Sequence, residues 1–105
     1  MRLLVIGEDI KLKDSEFDKI IQTVFYPMID GIKEIAILNA TGPEIQTVKW
    51  AKQFKIPYIG FLYSQETAID YADCVVYIGK NSEDSNLLQA CDEKRKRKII
   101  YKIAA

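Results

Sequence analysis

The stretch Ile35 to Leu62, IAILNATGPEIQTVKWAKQFKIPYIGFL, decides the fold, because its hydrophobic period changes from strand to helix and back again. Ile35 to Leu38 form a short, unbroken apolar run, the pattern of a strand buried on both faces. Asn39 to Gly42 break the run, and Pro43 then opens a helix at a first-turn position where its missing amide costs nothing. Glu44, beside it, complements the positive end of the helix dipole. Ile45, Val48, Trp50, Ala51 and Phe54 supply the apolar helix face, and Ile56-Pro57 stops the helix before the next apolar run, Tyr58 to Leu62. A strand, a crossover helix and a second buried strand imply a right-handed βαβ unit on a parallel sheet.

The same alternation extends in both directions. Apolar, β-branched runs recur at Leu3 to Ile6, Cys74 to Ile78 and Ile99 to Ile103. Helix one is expected from Asp14 or Ser15, either of which can cap the first turn, with Asp18 as a weak capping partner. Its stripe is Phe17, Ile20, Ile21, Val24 and Met28; Pro27 kinks or ends it, and Gly31 terminates the connection. Helix three spans Gln65 to Tyr71. Helix four runs from about Ser82 or Glu83 to Lys94, with Leu87, Leu88, Ala90 and Cys91 as its apolar face. The expected architecture is α/β: a single Rossmann-like three-layer domain over residues 1–105, with a five-stranded, mainly parallel sheet and about four helices.

Composition narrows the function. The 105 residues are 49% hydrophobic, enough for one core, and 15 basic residues balance 15 acidic ones. Nothing in that balance draws the chain to nucleic acid or an anionic membrane. The basic run Lys94 to Lys98 reads as a solvated helix end offsetting the dipole rather than a nucleic-acid footprint. Histidine is absent, which removes Ser-His and Cys-His nucleophile pairs and imidazole metal ligation. Cys74 and Cys91 lack metal-ligand spacing and are expected to be reduced, buried thiols. No metal and no cofactor are expected. The first apolar run is too short for a targeting or membrane segment, so the cytosol is the default compartment.

Ligands of an open parallel sheet bind outside the carboxyl ends of its strands. The loops expected there are Gly7-Glu8-Asp9, Asn39 to Glu44, Tyr63 to Glu66, and Gly79-Lys80-Asn81-Ser82. Gly7 and Gly42 permit close backbone approach. Neither loop carries a dinucleotide or P-loop glycine pattern. Glu8 and Asp9 suit a ribose hydroxyl, an amino group or a base edge better than a phosphate, Asn39 and Thr41 add neutral donors and acceptors, and Lys80 adds a cation. The candidate ligand-binding set is therefore Gly7, Glu8, Asp9, Asn39, Thr41, Gly42, Glu44, Tyr63, Gly79, Lys80, Asn81 and Ser82, with Tyr63 as the stacking candidate. Glu44 and Glu66 are the candidate catalytic carboxylates, each with helix capping as its simpler role.

Met1-Arg2-Leu3-Leu4-Val5-Ile6-Gly7, the segment Trp50-Ala51-Lys52-Gln53-Phe54-Lys55-Ile56-Pro57, and Tyr71-Ala72-Asp73-Cys74-Val75-Val76 resemble the YspA-like branch of the SLOG superfamily. That superfamily also holds DprA-type proteins and the LOG phosphoribohydrolases. The match from Leu38 to Pro57 is gapless: Gly42 falls on a family glycine, Glu44 on the aspartate, and Trp50, Ala51, Ile56 and Pro57 on their like. Glu8 and Asp9 stand where the family has Ser and Arg. Leu38, Asn39 and Thr41 replace two leading glycines and an arginine, and Ser64, Gln65 and Glu66 replace an Arg-Asn-Arg segment. The Gly-Thr that precedes helix four in the family has no counterpart in Lys80 to Ser85. The resemblance thus implies the fold and its cleft without the arginines that meet phosphate.

The expected function is non-catalytic binding of a nucleotide-derived small molecule, to sense a nucleotide signal or sequester it as in viral counter-defence. The alternatives are a LOG-like nucleoside or nucleotide N-glycosidase using Glu44 or Glu66, and a structural assembly domain. A homo-oligomer is the expected state for a domain this small.

Overall fold

β1 (Arg2–Gly7) is buried from Leu3 onward and β4 (Cys74–Gly79) along its whole length, as continuous apolar strands covered on both faces must be. The computed structural model to which they belong describes residues 1–61, 64–80 and 85–103. β2 (Glu34–Ile37) and β3 (Tyr58–Gly60) extend the sheet on one side and β5 (Arg97–Lys102) on the other. The strand order is β3-β2-β1-β4-β5, and every neighbouring pair is parallel.

Alternate residues of β1 feed separate cores. Leu3 and Val5 face α1 (Asp14–Ile20) and α2 (Gly42–Gln53), while Leu4 and Ile6 face α3 (Gln65–Tyr71) and α4 (Ser85–Glu93). The chain therefore builds outward from β1 to β3, crosses back over β1 and continues through β4 to β5. Its direction of growth reverses between β1 and β4, where an open sheet leaves a crevice at the carboxyl ends of its strands.

The fold expected from sequence is present, including α3 at its expected bounds. The expected start of helix four at Ser82 or Glu83 lies outside the described residues. Cys74 and Cys91 are free and buried on opposite faces of the sheet, and burial pushes both thiols above their ordinary range.

Two helices differ from their expected form. After Ile20 the backbone loosens into a π-helical turn, Ile21–Phe25, and then tightens into a 3-10 segment, Tyr26–Gly31, with Pro27 in its first turn. The wider turn carries one extra residue, which rotates Phe25 inward. Phe25 is fully buried and stacks on Trp50 with ring centroids 4.9 Å apart, whereas Ile21 and Met28 of the expected stripe are only partly buried.

In α2 the buried positions are Pro43, Glu44, Thr47, Trp50 and Ala51, while Ile45 and Phe54 are 44% and 45% exposed. The apolar face read from sequence is corrected accordingly. Polar residues take the inner positions because they find partners there: the Thr47 hydroxyl donates to the Pro43 carbonyl at 2.8 Å, and Glu44 is met by donors from three segments.

Candidate functional site

At the carboxyl edge of the sheet, β1 ends at Gly7, β2 leads into the turn before α2, and β4 ends at Gly79. Ala40, in that turn, holds a left-handed φ of 54°. Such a backbone costs an alanine roughly 1–2 kcal/mol and persists only where surrounding bonds fix it.

Those bonds converge on Glu44. Its side chain is fully buried; one carboxylate oxygen accepts from the amides of Leu38 at 2.7 Å and Asn39 at 2.8 Å. The other accepts from the Thr41 hydroxyl at 2.7 Å and the Gly7 amide at 3.4 Å. One side chain thus ties the end of β1, the end of β2 and the first turn of α2 together. The glycines make this closure possible. A Cβ on Gly7 would lie 2.8 Å from the Pro43 ring, and one on Gly42 would lie 2.2 Å from the Ile10 carbonyl oxygen.

On the other side of β1, the Glu8 amide donates to the Ile78 carbonyl at 3.0 Å. The Glu8 carboxylate lies across Gly79, where a Cβ would sit 2.7 Å from Oε1, and it accepts from the Tyr77 hydroxyl at 3.3 Å. The strand reversal therefore carries an acidic acceptor, with Asp9, Asn39 and Lys80 exposed on the loops at the carboxyl edge. Next to it, an open depression of about 510 Å³ is lined by residues including Asp9, Leu12, Gly42, Ile45 and Lys49.

Of the residues singled out from sequence, Gly7, Thr41, Gly42 and Glu44 form the closed junction, together with the Asn39 amide. Glu8 and Gly79 meet at the strand reversal, and Asp9 and Lys80 are exposed on the loops at the same edge. Tyr63, Asn81 and Ser82 lie outside the described residues. Glu66 stands apart: its side chain is 86% exposed and pairs with Lys94 at 3.8 Å. The basic run is likewise engaged, with Lys94 on Asp70 at 2.5 Å and Lys98 on Asp92 at 2.6 Å. Asp70 holds the Lys94 ammonium above its ordinary pKa.

Tyr77, Ile10 and the Leu38 amide were not evident from sequence. Tyr77 offered a faint signal as a polar-tipped ring near the carboxyl end of an otherwise aliphatic strand, whereas a backbone carbonyl or amide gives none. Among the described residues there is no cluster of three or more His, Cys, Asp or Glu able to hold a metal ion. No described helix is long and apolar enough to cross a membrane. No family model matches the chain, and no curated protein or solved structure matches it.

Proposed function

We propose that the chain is a non-catalytic binding domain for a nucleotide-derived small molecule, seated in the crevice between the carboxyl ends of β1 and β4. The observation that carries this reading is the Glu8 carboxylate, positioned across Gly79 and against the Tyr77 hydroxyl at the strand reversal. An acidic side chain at this point of a doubly wound sheet is well suited to accept from a ribose diol or an amino group. The resemblance of Leu38 to Pro57 to the YspA-like branch of the SLOG superfamily supports the same reading, and so do the acidic Asp9 and the neutral Asn39 exposed at the carboxyl edge.

The N-glycosidase alternative needs a carboxylate free to exchange a proton with a bound substrate. Glu44 has both oxygens occupied by protein donors and no solvent contact, while Glu66 faces solvent on α3. The two candidates do not form an acid–base pair. Assembly remains a second reading for one reason: β3 is a sheet edge whose three residues are all exposed, with Tyr58 at 46% and Ile59 at 39%.

The test is thermal unfolding with a panel of nucleosides, nucleotides, cyclic nucleotides and ADP-ribose derivatives, together with chromatography for released base. The expected result is a rise in melting temperature with the ligand recovered intact, lost in Glu8→Gln. Base release by the wild type would establish the enzyme instead. No shift with any compound, combined with a concentration-dependent dimer weakened by Ile59→Lys, would leave the assembly reading.

A further inference from the structure

Three backbone amides, of Gly7, Leu38 and Asn39, and the Thr41 hydroxyl converge on one point at the carboxyl edge of the sheet. A concavity of this kind attracts an anion, since its N–H dipoles point inward and the first turn of a twelve-residue helix adds its positive end. In this chain the point is already filled. The Glu44 carboxylate sits there with no solvent contact, and its two oxygens take up all four donors. Pro43 packs against Gly7, and the Ile10 carbonyl against Gly42, beside this junction.

We infer that Glu44 is a resident anion that sets ligand class: it occupies the oxyanion nest of the sheet edge, so the bound compound presents a phosphate-free nucleoside moiety to these loops. A free phosphate ester would have to displace a covalently tethered carboxylate, and if placed beside it would meet like charge at both Glu44 and Glu8. Removing the carboxylate leaves four convergent donors without an acceptor. Glu44→Ala also leaves space matching the atoms removed, a methyl carbon plus a carboxylate, which is acetate. The inference about ligand class rests on the binding reading above, whereas the nest itself does not.

The experiment measures unfolding of the wild type, Glu44→Ala and Glu44→Gln in rising sodium acetate against sodium chloride at equal ionic strength. Acetate is expected to raise the melting temperature of Glu44→Ala saturably and to leave the wild type and Glu44→Gln unchanged relative to chloride. If Glu44→Ala is unfolded without acetate, the same titration is read as acetate-driven recovery of far-UV circular dichroism. An equal acetate effect in all three proteins, or none in Glu44→Ala, overturns the nest. In parallel, calorimetry compares a nucleoside with its 5′-monophosphate. The wild type is expected to favour the nucleoside by about tenfold or more, and Glu44→Ala to lose or reverse that preference. A wild type that favours the monophosphate overturns the role in ligand class. Acetate rescue with no nucleoside binding at all would keep the nest and overturn only the binding reading.

Discussion

Gly42→Ala tests the closure of the sheet edge directly. The added methyl would lie 2.2 Å from the Ile10 carbonyl oxygen and 3.2 Å from its carbon, and both atoms belong to backbone. No rotamer change relieves such a contact, so either the β1–α1 loop or the first turn of α2 must move. Glu44 ties that turn to the ends of β1 and β2 and resists the shift. Overpacking of this type costs about 1–3 kcal/mol, and a backbone-to-backbone clash belongs in the upper half of that range. Replacing glycine at a helix start returns up to about 1 kcal/mol through helix propensity and reduced unfolded-state entropy. The net loss is therefore about 1–2 kcal/mol, or a fall of roughly 5–10 °C in melting temperature for a domain of this size. Gly31→Ala is the matched control: a Cβ there meets nothing within 4 Å, and no glycine has a left-handed φ. That change is expected to be neutral or stabilising by up to about 1 kcal/mol. The assay is urea unfolding followed by Trp50 fluorescence, with constant slope required for the comparison. Equal stability of the two variants would show that the Ile10 carbonyl does not rest on α2.

Other predictions follow from the core and the opposite edge of the sheet. Phe25→Ala removes a fully buried ring stacked on Trp50 and is expected to cost about 3–5 kcal/mol, whereas Phe54→Ala, truncating a ring that is 45% exposed, is expected to cost much less; guanidinium unfolding of both checks the ranking. At the amino edge, the Tyr71 hydroxyl donates a hydrogen bond to Glu34 under the Arg2 guanidinium, and that bond, with burial, raises the Tyr71 pKa above the ordinary tyrosine value. Because the folded pKa is raised, the stability that Tyr71 contributes is complete below the unfolded value and is lost as pH rises through the folded one. Melting temperatures of the wild type and Tyr71→Phe are therefore expected to differ by a constant amount at pH 7–9 and to converge above about pH 10; a gap that persists or widens there would contradict the assignment.

The strands were legible because both cores lie against them: Leu3 to Ile6 and Cys74 to Ile78 are buried on two faces, and only a doubly covered sheet accommodates such runs. Helix one was legible in position but not in phase. A periodic reading assumes 3.6 residues per turn, and the π-helical turn at Ile21–Phe25 breaks that assumption without any sequence mark except Pro27 just beyond it. Helix two misled for the opposite reason. Ile45 looked like core and Glu44 like a helix-start carboxylate open to the cleft, and hydrophobicity alone ranks their burial so. Burial went the other way because the carboxylate meets four donors, which more than replaces its water, while Ile45 is left on the rim of an open depression.

The same asymmetry explains how the site reads from sequence. Letters show what a side chain offers, and on that basis Glu8, Asp9, Asn39 and Glu44 looked like four equivalent polar groups facing one ligand. They do not show what the backbone offers in return. The amides of Gly7, Leu38 and Asn39 converge only once β1 and β2 pair in register and Ala40 turns the chain through a left-handed conformation. That convergence takes Glu44 out of the set of ligand groups and makes it part of the wall. Glu8 is left as the carboxylate at the strand reversal, one strand boundary away from the sealed junction. On the proposed binding reading the two acids divide the work: Glu44 fills the nest as its resident anion, and Glu8 presents an acceptor to hydroxyl or amino donors, so substitution at Glu44 should change which ligands are admitted while substitution at Glu8 should change whether any are held.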